Sequence, residues 1–464
     1  MAVLALDIGT TKICALVMDE ESSSVLETLS ADNTFLPPVH PWERIQDPEK
    51  IFTSVLKLVS ILEKKYHTFR CIGITGQMHG ILYVDSSGRA LSPLYTWQDT
   101  CSALCMEKDN LLSGESYAGY LARFSSGPIA PGYGLATCFY HHCTKQIPPQ
   151  AVTIYTIGDY VAMRLCTSAM PVMHVTNAGG LGFFDLHNYG FDKDNMERAG
   201  LDSSLLPRVV SGGEVLGKFA GGIPVCVSIG DNQASFLGSV RDSKKSVSVN
   251  IGTGSQISLV SSCIVDSAEM EVRPFFENNF LLVGASLCGG RAYAILEKFF
   301  RQVLDMAGLS GCRLDNLSLY DVMDAMAAAG QTGEISLTVN TLFAGSRTDP
   351  SVRGGIFNIS EDNFTPAQLI VGFLNGIVQE LYNYYEPLKK EKSWKLVVGA
   401  GNGIRKNKPL KRIISQKFGM SLEIPLHQEE AAYGAALFAL TCTGYFKTVF
   451  QAQQLVRYQE PEQF

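Results

Sequence analysis

The chain has 464 residues, 46% hydrophobic and 18% charged, with a net charge of −7. That length exceeds one compact core and predicts two domains, while the low charge suits a large buried interior. The acidic balance, without a basic block, excludes a general nucleic-acid or anionic-membrane surface, so an anionic ligand must be met by local amides or a metal ion.

The stretch "VLALDIGTTKICALVMDE" (3–20) predicts strands over 2–6 and 13–18 around a tight turn. Gly9 lets the backbone bend there and lets a ligand approach its amides. Exposed N–H groups beside the hydroxyls of Thr10 and Thr11 form a concave anion site suited to phosphate. Asp7, at the strand end, is placed to hold Mg²⁺ through waters. Read alone, the same residues fit an ordinary hairpin.

After a polar stretch, Asp47 and Pro48 open a predicted helix whose apolar stripe is Ile51, Val55, Leu58, Val59 and Leu62. Strands are predicted over 69–75 and 81–85, separated by "GQMHG", which puts Gln77, Met78 and His79 on a loop. "TWQD" (96–99) sets an aromatic plane beside Asp99, a pairing common around sugars. "HHC" (141–143) with Cys138 offers only half of a tetrahedral metal site. "GGEVLGKF" (212–219) satisfies G-x-x-x-x-G-K. However, Phe219 stands where a P-loop needs Ser or Thr, and a strand follows rather than a helix. "PVCVSIGDNQAS" (224–235) drives a strand into Asp231 and Asn232, and an acid so placed suits a general base for a hydroxyl. Taken singly, His79 reads as a structural histidine, Trp97 as core and Asp231 as a helix cap.

"RDSKKS" (241–246) is the best linker by polarity, dividing the chain into 1–240 and 241–464. Beyond it, "VSVNIGTGSQISLV" (247–260) repeats the opening: Ile8-Gly9-Thr10-Thr11 is echoed by Ile251-Gly252-Thr253-Gly254. Helices are predicted over 291–306, 366–388 and 430–441, with a strand over 394–401 running into "GAGNG" (399–403). No run approaches the roughly 20 apolar residues of a membrane span. The first six residues are too short for a signal peptide, and the twelve cysteines contain no C-x-x-C pair, so a reducing cytoplasm is the expected setting.

The ordered set DIGTT, GQMHG, TWQD, GDN, IGTG, "SLCGG" (286–290), GAGNG and "EEAAYGAALFA" (429–439) resembles the FGGY carbohydrate kinases over nearly the whole chain. The resemblance implies an α/β, two-domain actin/hexokinase/Hsp70-like ATPase fold built from duplicated ribonuclease H-like domains. It also implies an ATP- and Mg²⁺-dependent kinase of a small-molecule ketose. Asp7 would organise Mg²⁺, while Thr10, Thr11 and Thr253 would contact ATP phosphates. Gly289, Gly401, Asn402 and Asn407 would line the adenosine pocket. Gln77, Met78, His79, Asp99 and Asn232 would hold the sugar, and Asp231 would take the proton of the attacking hydroxyl. Residues 126–142 and 155–166 resemble the branch of the family acting on sedoheptulose. In this reading the small residues of 126–137 leave depth for a longer sugar, and a polar Gly158-Asp159-Tyr160 turn supplies partners. Xylulose kinases are the alternative. An actin- or Hsp70-like ATPase has no need for TWQD and GDNQ in one cleft, and a silent sugar sensor has no need for both Asp7 and Asp231. Two departures stand out. Cys101 occupies a position where the family commonly has arginine, and GAGNGIRKN replaces a compact triple-glycine form.

Overall fold

The structure is a computed structural model that describes residues 1–106, 114–166, 172–266, 269–309, 318–330, 337–346, 349, 351–389 and 394–460. The opening stretch forms a hairpin, β1 (Ala2–Ile8) and β2 (Lys12–Asp19), buried along nearly its whole length. That is why both strands read as almost continuous apolar runs. The edge strand β3 (Val25–Asp32) has no buried position. Helix α1 (Pro48–Tyr66) begins where expected, with the Asp47 carboxylate accepting from the amides of Glu49 and Lys50 at 2.9 and 3.2 Å. Its predicted stripe packs on the sheet residues Leu4, Leu6 and Ile74. Strand β4 (Ile72–Gly76) then pairs parallel with β1.

Between β4 and the end of the first half lies a second packed unit around Ile81, Tyr83, Leu135, Phe139, Ile154 and Phe183. It contains α2 (Gly134–Cys143), and α3 (Ile157–Cys166) follows on the first sheet. The G-x-x-x-x-G-K match falls on an edge hairpin of β5 (Val215–Phe219) and β6 (Ile223–Cys226), so no helix N-terminus stands there to bind phosphate. Strand β7 (Ile229–Gly230) pairs with β4 and leads into α4 (Asp231–Ser239). The first sheet runs β5-β6-β4-β1-β2-β3, with β7 beside β4.

The second half repeats this plan. Strands β8 (Ser246–Ile251), β9 (Ser255–Ser261), β10 (Glu271–Pro274), β11 (Phe280–Ser286), β12 (Leu396–Ala400) and β13 (Ser421–Glu423) form a sheet in the order β10-β11-β9-β8-β12-β13. Five strands correspond in order and direction: β3-β2-β1-β4-β6 matches β11-β9-β8-β12-β13. The echo of I-G-T is thus one of position, since each copy is the hairpin turn of the same two strands. Helices α5 (Gly290–Met306), α6 (Pro366–Tyr385), α7 (Gly401–Lys406) and α8 (Lys408–Phe418) follow. A core around Val249, Ile257, Leu374, Ile377 and Val397 fills this half.

The last long helix, α9 (Glu430–Cys442), returns to the first half, with Ala432 to Leu440 buried. It crosses α4 so closely that a Cβ on Gly434 would overlap the carbonyl oxygen of Ala234, and one on Gly238 that of Glu430. Backbone-to-backbone contact of this kind is open only to glycine. No helix of the described residues is long and apolar enough to cross a membrane.

Candidate active site

Three neighbouring parallel strands, β1, β4 and β7, end at one place: Asp7 pairs with Thr75, and Ile229 with Thr75 on the other side. Asp7, Gln77 and Asp231 therefore project from the carboxyl ends of adjacent strands, where α/β sheets bind their ligands. The hairpin turn between β1 and β2 is fixed from outside. Asn33 Nδ2 donates to the Gly9 carbonyl at 2.9 Å, Gln46 Nε2 to Thr10 at 2.7 Å, and the Asn33 amide to Thr11 at 2.9 Å. With all three carbonyls engaged and the Gly9 amide donating to the Lys12 carbonyl at 3.0 Å, it is the Thr10–Thr11 edge of the turn, its two amides and the Thr11 hydroxyl, that is left for a ligand, an arrangement suited to an anion.

Asp7 and Asp231 each keep part of their surface open to the cleft, yet burial is the largest influence on both. Burial, followed by the charges of Asp231 and Glu429, pushes the Asp7 carboxyl up to about 7, with Lys12 opposing. Its Oδ1 has no partner. Burial also pushes Asp231 up to about 6, against the pull of Arg273 and the first amides of α4. Gly230, not Asp231, is the cap residue of α4, and Asp231 is its first helical residue.

The remaining sugar candidates divide. Gln77 is buried, and its Nε2 donates to Gln46 Oε1 at 2.9 Å, while its own Oε1 lacks a partner. It thereby braces the Gly9–Thr11 turn through Gln46. Met78 is buried against Gly180 and Gly230. His79 donates from Nδ1 to the Gly180 carbonyl at 2.6 Å and stacks on Tyr133 at 4.6 Å between ring centroids. The Asp99 carboxylate is buried and accepts from the amides of Arg44 and Cys101 at 3.1 and 3.0 Å, so it shapes its loop from within. Trp97 is no core residue: it is 47% exposed, and its Nε1 donates to Thr10 Oγ1 at 2.9 Å. Asn232 faces the second half, exchanging two hydrogen bonds with Gln256 at 3.2 and 3.0 Å.

One expectation fails outright. Gly158, Asp159 and Tyr160 are no open polar turn but the first turn of α3, all buried. Asp159 is held by Thr156 Oγ1 at 2.7 Å and Asn177 Nδ2 at 3.1 Å, and the Tyr160 hydroxyl donates to Glu49 at 2.5 Å. Their polar atoms are spent inside the first half, because a buried polar group needs a partner at once.

In the second half, the Gly252–Gly254 turn between β8 and β9 leaves Thr253 exposed. The amides of Gly290 and Arg291 donate to the carbonyls of Gly252 and Thr253 at 2.8 and 2.9 Å. A Cβ at Gly289 would overlap the Gly254 carbonyl. Gly401, at φ +83, starts α7 directly against Asn250 and Ile251, and Asn402 is exposed beside it. Thr253, Gly289, Gly401 and Asn402 therefore gather around one turn. Asn407 stands apart as the cap of α8: it accepts from the Leu410 amide at 2.7 Å and donates to Asp324 at 2.6 Å.

Several site residues were not picked out from sequence. Lys12 directly follows the DIGTT motif and Glu429 opens the EEAAYG motif; they pair at 2.7 Å beside the first turn. Glu271 and Arg273 on β10 carry no motif, yet they reach the first half. Tyr133 donates to Glu271 Oε1 at 2.9 Å, and Arg273 Nη2 meets Glu271 Oε2 at 2.6 Å. Burial would raise Glu271, but Arg273 together with its other partners holds it down to about 2. Tyr133 and Glu271 also border a cavity of about 820 Å³ at the junction of the halves, lined by residues 126–130 and by Phe183, Met270 and Glu380. Asp7, Asp231 and the Gly9–Thr11 turn are not among its lining residues.

The FGGY family of carbohydrate kinases matches the chain twice, its N-terminal domain over residues 2–238 and its C-terminal domain over 247–442. A sedoheptulokinase of Mus musculus is 27% identical, over 94% of this chain and 97% of its own. A xylulose kinase of Staphylococcus epidermidis is 24% identical, over 96% and 89%. The crystal structure of Plasmodium falciparum glycerol kinase with ADP superposes with a TM-score of 0.79 at 17% identity, covering 98% of this chain and 92% of that one. The fold is thus the two-domain α/β fold of the actin/hexokinase/Hsp70-like ATPases.

Proposed function

Because the chain belongs to the FGGY family of carbohydrate kinases, we propose that it moves the terminal phosphoryl group of ATP to the C7 hydroxyl of sedoheptulose. The observation that carries this reading is the convergence of Asp7 and Asp231 at the ends of the two strands that flank β4, beside a turn whose carbonyls are all engaged. Phosphoryl transfer asks mainly for positioning and charge neutralisation, and these are the parts that supply them. In this reading residues 1–240 carry the sugar site, the phosphate turn and the base, and residues 241–464 carry the adenosine site.

Asp231, held at about 6, is ionised at neutral pH and takes the proton of the attacking hydroxyl. Thr10, Thr11 and Thr253 receive the phosphates, Gly289, Gly401 and Asn402 the adenosine, and Asn407 supports that wall from the start of α8. Gln77, Met78, His79, Asp99 and Asn232 shape the sugar site, some of them through the residues they brace. A divalent cation fits at Asp7, whose Oδ1 is buried without a partner and whose carboxyl feels Asp231 and Glu429. Among the described residues no three His, Cys, Asp or Glu side chains stand at ligand spacing, so the ion would keep most of its waters, as Mg²⁺ does. When bound, Mg²⁺ supplies neutralisation of charge on the transferring phosphoryl group.

Two observations support sedoheptulose: the length-spanning likeness to the mouse sedoheptulokinase, and the roomy cavity beginning at Tyr133, beside His79. ADP release measured with sedoheptulose, xylulose, ribulose, glycerol and no sugar tests the reaction class. Strong stimulation by a ketose is expected. Equal release without any sugar would contradict the kinase assignment.

A further inference from the structure

The sequence leaves a vacancy at Cys101, where the family commonly places arginine. In the structure that position supplies no cation: Cys101 is buried, and its amide donates to Asp99 at 3.0 Å. A guanidinium does stand near the base, but it comes from the other half of the chain. Strand β10 is the edge of the second sheet, and Glu271 and Arg273, two residues apart, point to the same side. That side meets the first half. Tyr133 binds Glu271, Arg273 Nη1 lies 3.9 Å from Met78 Sδ, and Gln233 Nε2 donates to the Pro274 carbonyl at 3.1 Å.

Resting on the kinase reading above, we propose that Arg273 contacts the sugar: its guanidinium crosses from the second half to stand beside Asp231 and offers its Nε–H to a ketose hydroxyl, while Glu271 and Tyr133 hold it in place. Arg273 is 3% exposed, and its Nε has no partner, nor has the nearby Gln233 Oε1. A buried charged donor without an acceptor is costly, and the cost disappears when a ligand supplies the acceptor. A polyol is the matching chemistry, since each hydroxyl both donates and accepts. Its charge also favours the ionised form of Asp231. The sugar site is therefore complete only when the edge strand of the second half is seated.

Arg273→Lys keeps the charge and can keep the Glu271 pair but removes the Nε fork. In this variant the KM for the ketose should rise about tenfold to hundredfold, the scale of a lost charged hydrogen bond, while the KM for ATP stays within about twofold of wild type. Glu271→Gln, which loosens the hold on the guanidinium, should shift the same constant in the same direction. A wild-type enzyme with ketose-dependent ADP release whose Arg273→Lys variant keeps the ketose KM would overturn this inference alone. Absence of sugar-dependent release in the wild type would overturn the kinase reading and the inference with it. If neither variant folds, crystals of the wild type grown with the ketose decide: a sugar oxygen within about 3.2 Å of Nε is expected, and a guanidinium touching only protein atoms refutes it.

Discussion

At Asp7, burial and the charges of Asp231 and Glu429 hold the carboxyl at about 7, against ~3.9 in an unfolded chain. Between these values the folded ligand-free protein keeps a proton that the unfolded chain has released. This group therefore lowers stability progressively as pH rises from about 4 to 7. Asp7→Asn removes the cost, so the ligand-free variant should melt higher than wild type at pH 8, by about 2–4 °C for each kcal/mol relieved. The gap should close toward pH 4, and the same variant should lose Mg²⁺-dependent use of ATP. Thermal denaturation across pH 4–8 checks the sign; a variant less stable at every pH refutes it. Asp231 works in the opposite sense on rate. Below about 6 its carboxyl is protonated and cannot act as base, so kcat/KM should fall on the acid side through that value. Asp231→Asn should lose about 10²–10⁴-fold in kcat, the usual contribution of a positioned base, with the fold intact. Near wild-type turnover in a folded Asp231→Asn would exclude the assignment.

Among the elements, the crossing of α4 and α9 joins the ends of the two halves through glycine. A methyl on Gly434 would meet the Ala234 carbonyl rather than a side chain that can turn away. Gly434→Ala should therefore cost about 1–3 kcal/mol, as overpacking does, and should lower the melting temperature without changing the ligand-free pH dependence set by Asp7. A melting temperature equal to wild type would show that the helices can slide apart freely. At this level the sequence was informative where local chemistry decides the outcome. Asp47 and Pro48 start α1 as read, the stripe from Ile51 to Leu62 faces the core, and the apolar runs end at Asp7 and Asp231. It misled where partners come from afar. The polar Gly158-Asp159-Tyr160 stretch read as a source of partners for the sugar because its own partners, Asn177 and Glu49, lie 18 and 111 residues from the atoms they bind. Trp97 looked like core because nothing local announces its hydrogen bond to Thr10, 87 residues away. Glu271 and Arg273 carry no motif, and the register that aims them at Tyr133 and Asp231 is tertiary.

Across the whole molecule, one five-strand plan occurs twice, and the two halves touch through Tyr133–Glu271 and Asn232–Gln256. In the proposed reading the site takes its phosphate turn, base and sugar loop from the first copy and a second turn from the other, and Tyr133 of the first half meets the Glu271–Arg273 pair of the second. Such a site can exclude water, which otherwise competes as phosphoryl acceptor, when its halves close. It also leaves the length of the sugar as the open variable, since His79 stacks on Tyr133, and Tyr133 borders the cavity of about 820 Å³. Specificity constants for sedoheptulose and xylulose, measured side by side on the wild-type enzyme with the product's phosphate position read by NMR, test the account most directly. The account predicts a higher kcat/KM for sedoheptulose and phosphate on C7. A clear advantage for xylulose would contradict the substrate assigned here, and a product carrying phosphate on an internal carbon would contradict the placement of Asp231 at the terminal hydroxyl.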